Sequence, residues 1–219
     1  MKNNFSQEDK NMTENIEVLT HSSIRISGKQ IIYIDPFQIR EEKHDADFIL
    51  ITHDHFDHFS PDDIAKIKKA DTTLIIPEKM KNQATDTKCE KIITVNPGMR
   101  MDCGGFMIET IASYNENKLF HPKENGWVGY IIKKDGNRIY IAGDTDITDE
   151  NRSVSCDVAM VPIGGKYTMD AEEAAELVNI IKPKIAIPIH YGSITGSKDD
   201  ANVFMDKVDQ SIAVEIKLL

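Results

Sequence analysis

Residues 51–60, "ITHDHFDHFS", hold three histidines and two aspartates, directly behind the apolar run "DFILIT" (47–52). The whole chain has seven histidines, so this one short loop carries three of them. His53 and His55 are two apart, and alternate residues of an extended segment point the same way, so the pair can grip one cation together. Asp57 and His58 then face a second position nearby. Neutral imidazole and carboxylate suit zinc, manganese or iron. The other reading is a solvated polar turn with surface histidines, although a turn of ordinary composition rarely gathers this set.

Length and composition frame that loop. A chain of 219 residues with 40% apolar and 28% charged content is long enough to bury a substantial core. No linker divides it, so one domain is expected over 16–219, behind a polar tail, "MKNNFSQEDKNMTEN", expected to be disordered over 1–15. No apolar stretch approaches a membrane span, and the polar start lacks the apolar segment of a secretory signal. Cys89, Cys103 and Cys156 are odd in number and widely separated, which fits free thiols in a reducing cytoplasm. The formal net charge of −10 argues against general nucleic-acid affinity. Two divalent cations would bring it to about −6 (−10 plus 4), so part of the acidity fits a metal site.

Strand and helix signals alternate along the chain. "IEVLTH" and "SIRISGKQIIYID" predict an early meander, and "DFILIT" a buried strand feeding the histidine loop. Ser60 and Pro61 start a short helix, "DDIAKIKKA". "TTLIIP", "KIITV", "FMIETIAS", "VGYIIKK", "RIYIAG", "DVAMVPI", "KIAIPI" and "AVEIKLL" predict strands, with a hairpin turn at Asp135-Gly136. "EKMKNQA" and "SKDDANVFMDKV" predict helices. The strongest helix runs from Asp170 to Ile181, with Asp170 and Glu173 as a capping box and Ala174, Leu177, Val178 and Ile181 on one face. Two sheets covered outside by helices follow from this order.

The loop "THDHFDH" matches an H-x-H-x-D-H signature, and "IYIAGDTD" (139–146) and "IAIPIHYG" (185–192) follow it in order. Together they make the chain resemble the metallo-β-lactamase superfamily. Residues 162–192, "PIGGKYTMDAEEAAELVNIIKPKIAIPIHYG", are similar to its branch of small hydrolases related to ascorbate-phosphate lactonases. The resemblance implies an α+β, four-layer αββα sandwich of two mixed sheets flanked by helices. It implies two divalent metal ions, expected to be Zn2+, with Mn2+ or Fe2+ as alternatives. Carried over, His53 and His55 bind the first metal, Asp57 and His58 the second, Asp144 bridges both and His190 completes the second site. His121, the one histidine between the loop and Asp144, is expected as the remaining first-site ligand.

The implied activity is metal-dependent hydrolysis of a small-molecule ester, lactone or phosphoester by a metal-bridging hydroxide, with Asp57 as the catalytic positioning group. No G-x-S-x-G motif or cysteine motif supplies another nucleophile. Alternatives are a nucleic-acid phosphodiesterase of the same fold, which the acidity disfavours, and a non-catalytic metal-binding relative, which should have lost ligands. Redox di-iron relatives carry an acidic residue where His55 stands. His21, Lys166 and Tyr191 are candidate substrate-binding residues, with His21 equally readable as structural. Asp35 can orient a ligand imidazole, and His44 is expected in solvent. Trp127 and Tyr130 either wall the cleft or fill the core. A small molecule is the expected partner, with no nucleic acid and no membrane; a homo-oligomer is compatible with the chain.

Overall fold

Alternating isoleucine and valine build the first sheet. The structure, a computed structural model, describes residues 6–218. After a helix α1 (Gln7–Thr13) come β1 (Ile16–Thr20), β2 (Ser23–Ile26) and β3 (Ile32–Ile34). Ile16, Val18, Ile24, Ile26, Ile32 and Ile34 all point to one face, as a period of two requires. β4 (Ala46–Leu50), β5 (Lys68–Pro77) and β6 (Lys91–Val95) extend the sheet in the order β1-β2-β3-β4-β5-β6. The first three strands pair antiparallel and the last four run parallel, with β3 common to both halves.

The second sheet holds β7 (Arg100–Asp102), β8 (Met107–Ala112), β9 (Val128–Lys134), β10 (Asn137–Ile141), β11 (Val158–Pro162), β12 (Ile185–Ile189) and β13 (Ala213–Val214). Its order is β13-β12-β11-β10-β9-β8-β7, parallel from β10 to β13 and antiparallel on the other side. Asp135 and Gly136 both take positive φ (50° and 86°), as the predicted hairpin demands. Between the sheets, Leu50, Ile75 and Val95 meet Ile108, Tyr130, Ile132, Met160 and Ile187. Outside the first sheet lies α2 (Pro61–Ile67), with Ile64 and Ile67 against Ile49, Leu74 and Ile76. Outside the second lie the short α3 (Asp149–Arg152), α4 (Ala171–Ile181) and α5 (Asp200–Lys207), with Leu177, Val178 and Phe204 against Tyr140, Ala159 and Ala186. These are the four layers expected. Among the described residues no helix is long and apolar enough to cross a membrane.

Four local expectations are corrected. Much of the segment expected to be a disordered tail is helical: Ser6 and Asp9 cap α1 reciprocally, Thr13 is buried, and Met12 packs against the inter-sheet core. Residues 1–5 of that tail, and Leu219 of the closing strand, lie outside the described residues. "EKMKNQA" forms no α-helix but falls in 3-10 turns at Glu78–Met80 and Gln83–Thr87. Neither turn has a side-chain cap, whereas α1, α2 and α3 each have one. The helix after Pro61 ends at Ile67, because Lys68 turns extended and starts β5. β7 and α3 were not anticipated; three and four mostly polar residues carry no periodic signal.

α4 forms as read. The Asp170 carboxylate accepts the backbone N–H groups of Glu172 and Glu173 at 2.9 and 2.8 Å, and Glu173 accepts from Asp170 N at 3.0 Å. Lys182 leaves the helix in the left-handed region, before Pro183. Replacing Asp170 by Ala should cost about 1 kcal/mol of stability. Urea unfolding checks this, and metal content should stay at the parent level because the cap lies on the outer layer.

Candidate metal centre

One rim of the sandwich collects the polar residues that the core excludes. His21 follows β1, Asp35 follows β3, the loop 51–60 follows β4, Asp144 follows β10 and His190 follows β12. These are carboxyl ends of strands, where ligand sites of open sheets gather. His121 comes from the loop after β8, whose ends are joined by Ser113 N donating to Trp127 O at 3.1 Å, with Asn115 N donating to His121 O at 2.7 Å inside it. The sheets are stitched together here: Val128 N donates to Thr52 O (3.1 Å), Tyr130 Oη to Ile51 O (2.8 Å) and His190 N to His21 O (3.0 Å). Tyr130 therefore fills the core rather than walling a cleft. Trp127 does face the centre, its ring 5.0 Å from those of His53 and His55.

Two groups of ligand-type atoms result. One comprises His53, His55, His121 and Asp144; the other comprises His21, Asp57, His58 and His190. Within each, the ligand atoms lie within 4.8 Å of one another. A tetrahedral cation with bonds of about 2.0–2.1 Å separates its ligands by about 3.3–3.4 Å. In the first group, His53 Nε2 lies 3.1 Å from His55 Nδ1, and Asp144 Oδ2 lies 3.3 Å from His121 Nε2 and 3.8 Å from His53 Nε2. In the second, Asp57 Oδ2 lies 3.2 Å from His21 Nε2 and 3.6 Å from both His58 Nε2 and His190 Nε2. Asp144 also reaches the second group, with Oδ1 3.3 Å from His58 Nε2 and Oδ2 3.1 Å from His190 Nε2.

The donor set fits cations for a second reason. The Nε2 atoms of His21, His58, His121 and His190, with Asp144 Oδ1, are buried and have no aligned hydrogen-bond partner. Each such atom costs about 1–3 kcal/mol if left unsatisfied, so five converging on one place argue for a missing charge.

Outer partners orient several rings. The fully buried Asp35 accepts from Thr52 N (2.8 Å) and Thr52 Oγ1 (2.7 Å) and lies 2.8 Å from His58 Nδ1. Thr52 Oγ1, its proton committed to Asp35, is free to accept from His53 Nδ1 at 2.9 Å. One carboxylate thus fixes the ring facing each group and leaves both Nε2 lone pairs pointing inward. The supporting role read for Asp35 has this geometry, and its left-handed φ of 45° reflects the tight exit from β3.

Charge balance sets the protonation. Burial lowers His53 far below its ordinary value, and the neighbouring His58 adds to this. Burial also lowers His55 and His21. His58 and His190 go the other way: burial opposes their charge, but Asp144 outweighs it, helped by Asp35 for His58 and by Asp57 for His190. Burial disfavours the charged forms of Asp57 and Asp144. The nearby His190 and His21 imidazoles nevertheless hold Asp57 below the usual carboxylate range, and the charges of His190 and His58 do so for Asp144. Without cations, then, His58 and His190 are the rings on which the carboxylates favour positive charge.

The remaining candidates fall elsewhere. Tyr191 packs in the outer core and donates its hydroxyl to Leu218 O at 3.4 Å. Lys166 is exposed, with its Nζ over the Tyr167 ring. Gly164, two residues before it, makes room for His190: a Cβ there would come 2.4 Å from His190 O. His44 is exposed as expected, and Asp54 accepts from Gln83 Nε2 at 2.9 Å. His21 was read as substrate-facing or structural; the structure brings it to the second group with its side chain fully buried. Ser193, which lies 3.2 Å from His21 Nδ1, and Asn115, beside His121 Nδ1, were not singled out. A histidine between an apolar strand and two serines was the only local signal.

Two mixed sheets flanked by helices, with metal-type clusters at the rim, define a metallo-β-lactamase fold. A family model described as a beta-lactamase superfamily domain matches residues 15–190. A UPF0173 metal-dependent hydrolase of Thermoplasma acidophilum is 33% identical over 214 residues, covering 87% of this chain and 90% of the relative. The chain belongs to this family of metal-dependent hydrolases within the metallo-β-lactamase superfamily. A crystal structure from Parabacteroides distasonis, described as a metal-dependent hydrolase, superposes with a TM-score of 0.77 at 30% identity over 93% of both chains. Igni18, a metallo hydrolase from Ignicoccus hospitalis, shares the fold at 24% identity with a TM-score of 0.76, covering 92% of this chain and 93% of its own.

Two outcomes follow from the site. Because Asp144, against the effect of burial, raises His58 and His190 above the ordinary imidazole range in the metal-free protein, a cation competes with protons for both rings. Zn2+ affinity should therefore fall as pH drops below neutrality, with net proton release measurable by calorimetry in buffers of different protonation enthalpy. Replacing Asp35 by Asn, which removes the acceptor that orients His58 and Thr52, should weaken Zn2+ binding about 10- to 100-fold, as read by competition with a chromophoric chelator.

Proposed function

We propose that this chain is a dinuclear metal-dependent hydrolase acting on a small ester, lactone or phosphoester. The observation that carries the reading is the pair of buried donor groups with Asp144 within reach of both. His53, His55 and His121 would hold one cation, Asp57, His58 and His190 the other, and Asp144 would serve both. Nitrogen and oxygen donors at tetrahedral spacing favour zinc. When bound, the cations supply a water acidified toward neutrality and a Lewis acid for the scissile carbonyl or phosphoryl.

The side chains do the rest. Asp57 is held below the usual carboxylate range, and its part is to accept a hydrogen bond from the attacking water and aim it. His55 is the one member of either group that is more than slightly exposed, so substrate arrives on its side. Trp127, buried against the rings of His53, His55 and His121, keeps solvent from the inner side of the first group. The acidic chain favours a small substrate over nucleic acid, and three free cysteines accord with a cytoplasmic setting.

Elemental analysis of protein purified without chelator should find two metal equivalents per chain. The same preparation, screened on lactones, thioesters, phosphodiesters and sugar phosphates, should turn over at least one class. Asp57→Ala and His55→Ala should each lower that turnover by a factor of about 10³ or more, as expected for groups that act as a unit. Turnover persisting near the parent rate in either variant would rule out the assignment.

A further inference from the structure

The two donor groups are unequal, and His21 makes them so. We infer that His21 is a protein ligand of the second cation. That position becomes the tighter, substrate-inaccessible one, and open coordination is left to the first cation beside His55. The inference rests on the dinuclear reading above and goes beyond it in assigning a ligand and a division of labour.

Three features of His21 point to coordination. Its Nε2 lies 3.2 Å from Asp57 Oδ2, in the same range as the corresponding atoms of His58 and His190, and it is buried without an aligned partner. Its Nδ1 lies 3.2 Å from Ser193 Oγ, a hydroxyl able to accept the Nδ1 proton and so leave the Nε2 lone pair aimed into the group. Its backbone is held as well: φ is +48°, and its carbonyl accepts from His190 N at 3.0 Å, with the two rings 3.9 Å apart. A non-glycine residue in the left-handed region costs of order 1–3 kcal/mol and persists where surrounding structure demands it. A substrate-contacting histidine would need an exposed face, and this side chain has none.

Counting donors gives the inequality. The second position has four side chains of its own, all buried, before any share of Asp144. The first has three, and two of them are less prepared. His55 is partly exposed. His121 has Asn115 Nδ2, an amide donor, 3.1 Å from its Nδ1; that contact favours the proton on Nε2 and must rearrange before Nε2 can bind a cation. A site filled by protein donors behaves as a structural one, whereas a catalytic site keeps a position open. The substrate oxygen therefore engages the first cation, on the solvent side of His55.

The test is a Zn2+ titration of the chelator-stripped full chain by calorimetry, repeated with Co2+ and read by visible absorption. The parent protein should show two events separated by a factor of about 100. His21→Ala should weaken the tighter event by about that factor and spare the weaker one. His55→Ala should abolish the weaker event and spare the tighter. Ser193→Ala, which keeps the imidazole and removes its orienting partner, should weaken the tighter event about 10-fold. It decides the matter should His21→Ala fail to give the parent circular dichroism spectrum. Two parent-like events in folded His21→Ala, an unchanged tight event in Ser193→Ala, or two equal events in the parent would overturn the assignment and leave the dinuclear reading standing. A single event in the parent would overturn that reading itself.

Discussion

Asp57 and Asp144 are buried within 3.6 Å of the same two imidazole nitrogens, those of His58 and His190, and both are held ionised. Negative charges so placed carry a desolvation penalty of several kcal/mol each unless positive charge stands between them. Most features of the rim follow from that constraint. In the metal-free protein the carboxylates raise His58 and His190 above the ordinary imidazole range against the effect of burial; cations held by the same donors would supply that charge instead. The Asp35 carboxylate fixes the His58 ring and, through the Thr52 hydroxyl, the His53 ring.

The sandwich makes this possible by dividing the donors between its layers. His53, His55, Asp57 and His58 leave the first sheet on one loop, and His21 leaves the same sheet from β1; His121, Asp144 and His190 come from the second. Each donor group therefore draws on both sheets. The backbone bonds from Val128 to Thr52 and from His190 to His21 fix the distance between layers at the rim. Inter-sheet packing and donor spacing are one geometrical problem, so a change in the core that tilts one sheet alters every carboxylate-to-imidazole distance.

Legibility in the sequence followed the range of the signal. The histidine loop was readable because four of its donors lie within six residues, and Asp144 and His190 because each closes a strand whose apolar run is visible locally. The capping box of α4 and the Asp135-Gly136 hairpin are likewise complete within a few residues. His21 was not placed, because what brings it to the site is Asp57, His190 and Ser193, all distant in the chain and met only when β1 and β12 lie on facing layers. The helix at Gln7–Thr13 was hidden for a related reason: its residues are polar, and it is held by a local cap and by Met12 reaching a core built from later strands. Conversely, the polar "EKMKNQA" looked helical by propensity, yet it places Met80 and Ala84 in the outer core from two 3-10 turns rather than from one α-helix.

The same contrast explains why the loop signature is a poor guide to how each donor group is completed. Read alone, H-x-H-x-D-H describes two equal half-sites, two donors apiece. The fold completes them unequally, adding His121 and a partly shared Asp144 on one side, and His190 with His21 on the other. A cation's affinity depends on how many donors are already placed, and its reactivity on whether one position stays open to solvent. Both properties arise at the non-local positions: the β1–β2 turn, the loop before His121 and the end of β12. Relatives that keep the loop but differ at those three places would share the signature and the fold while dividing binding and catalysis between their cations differently.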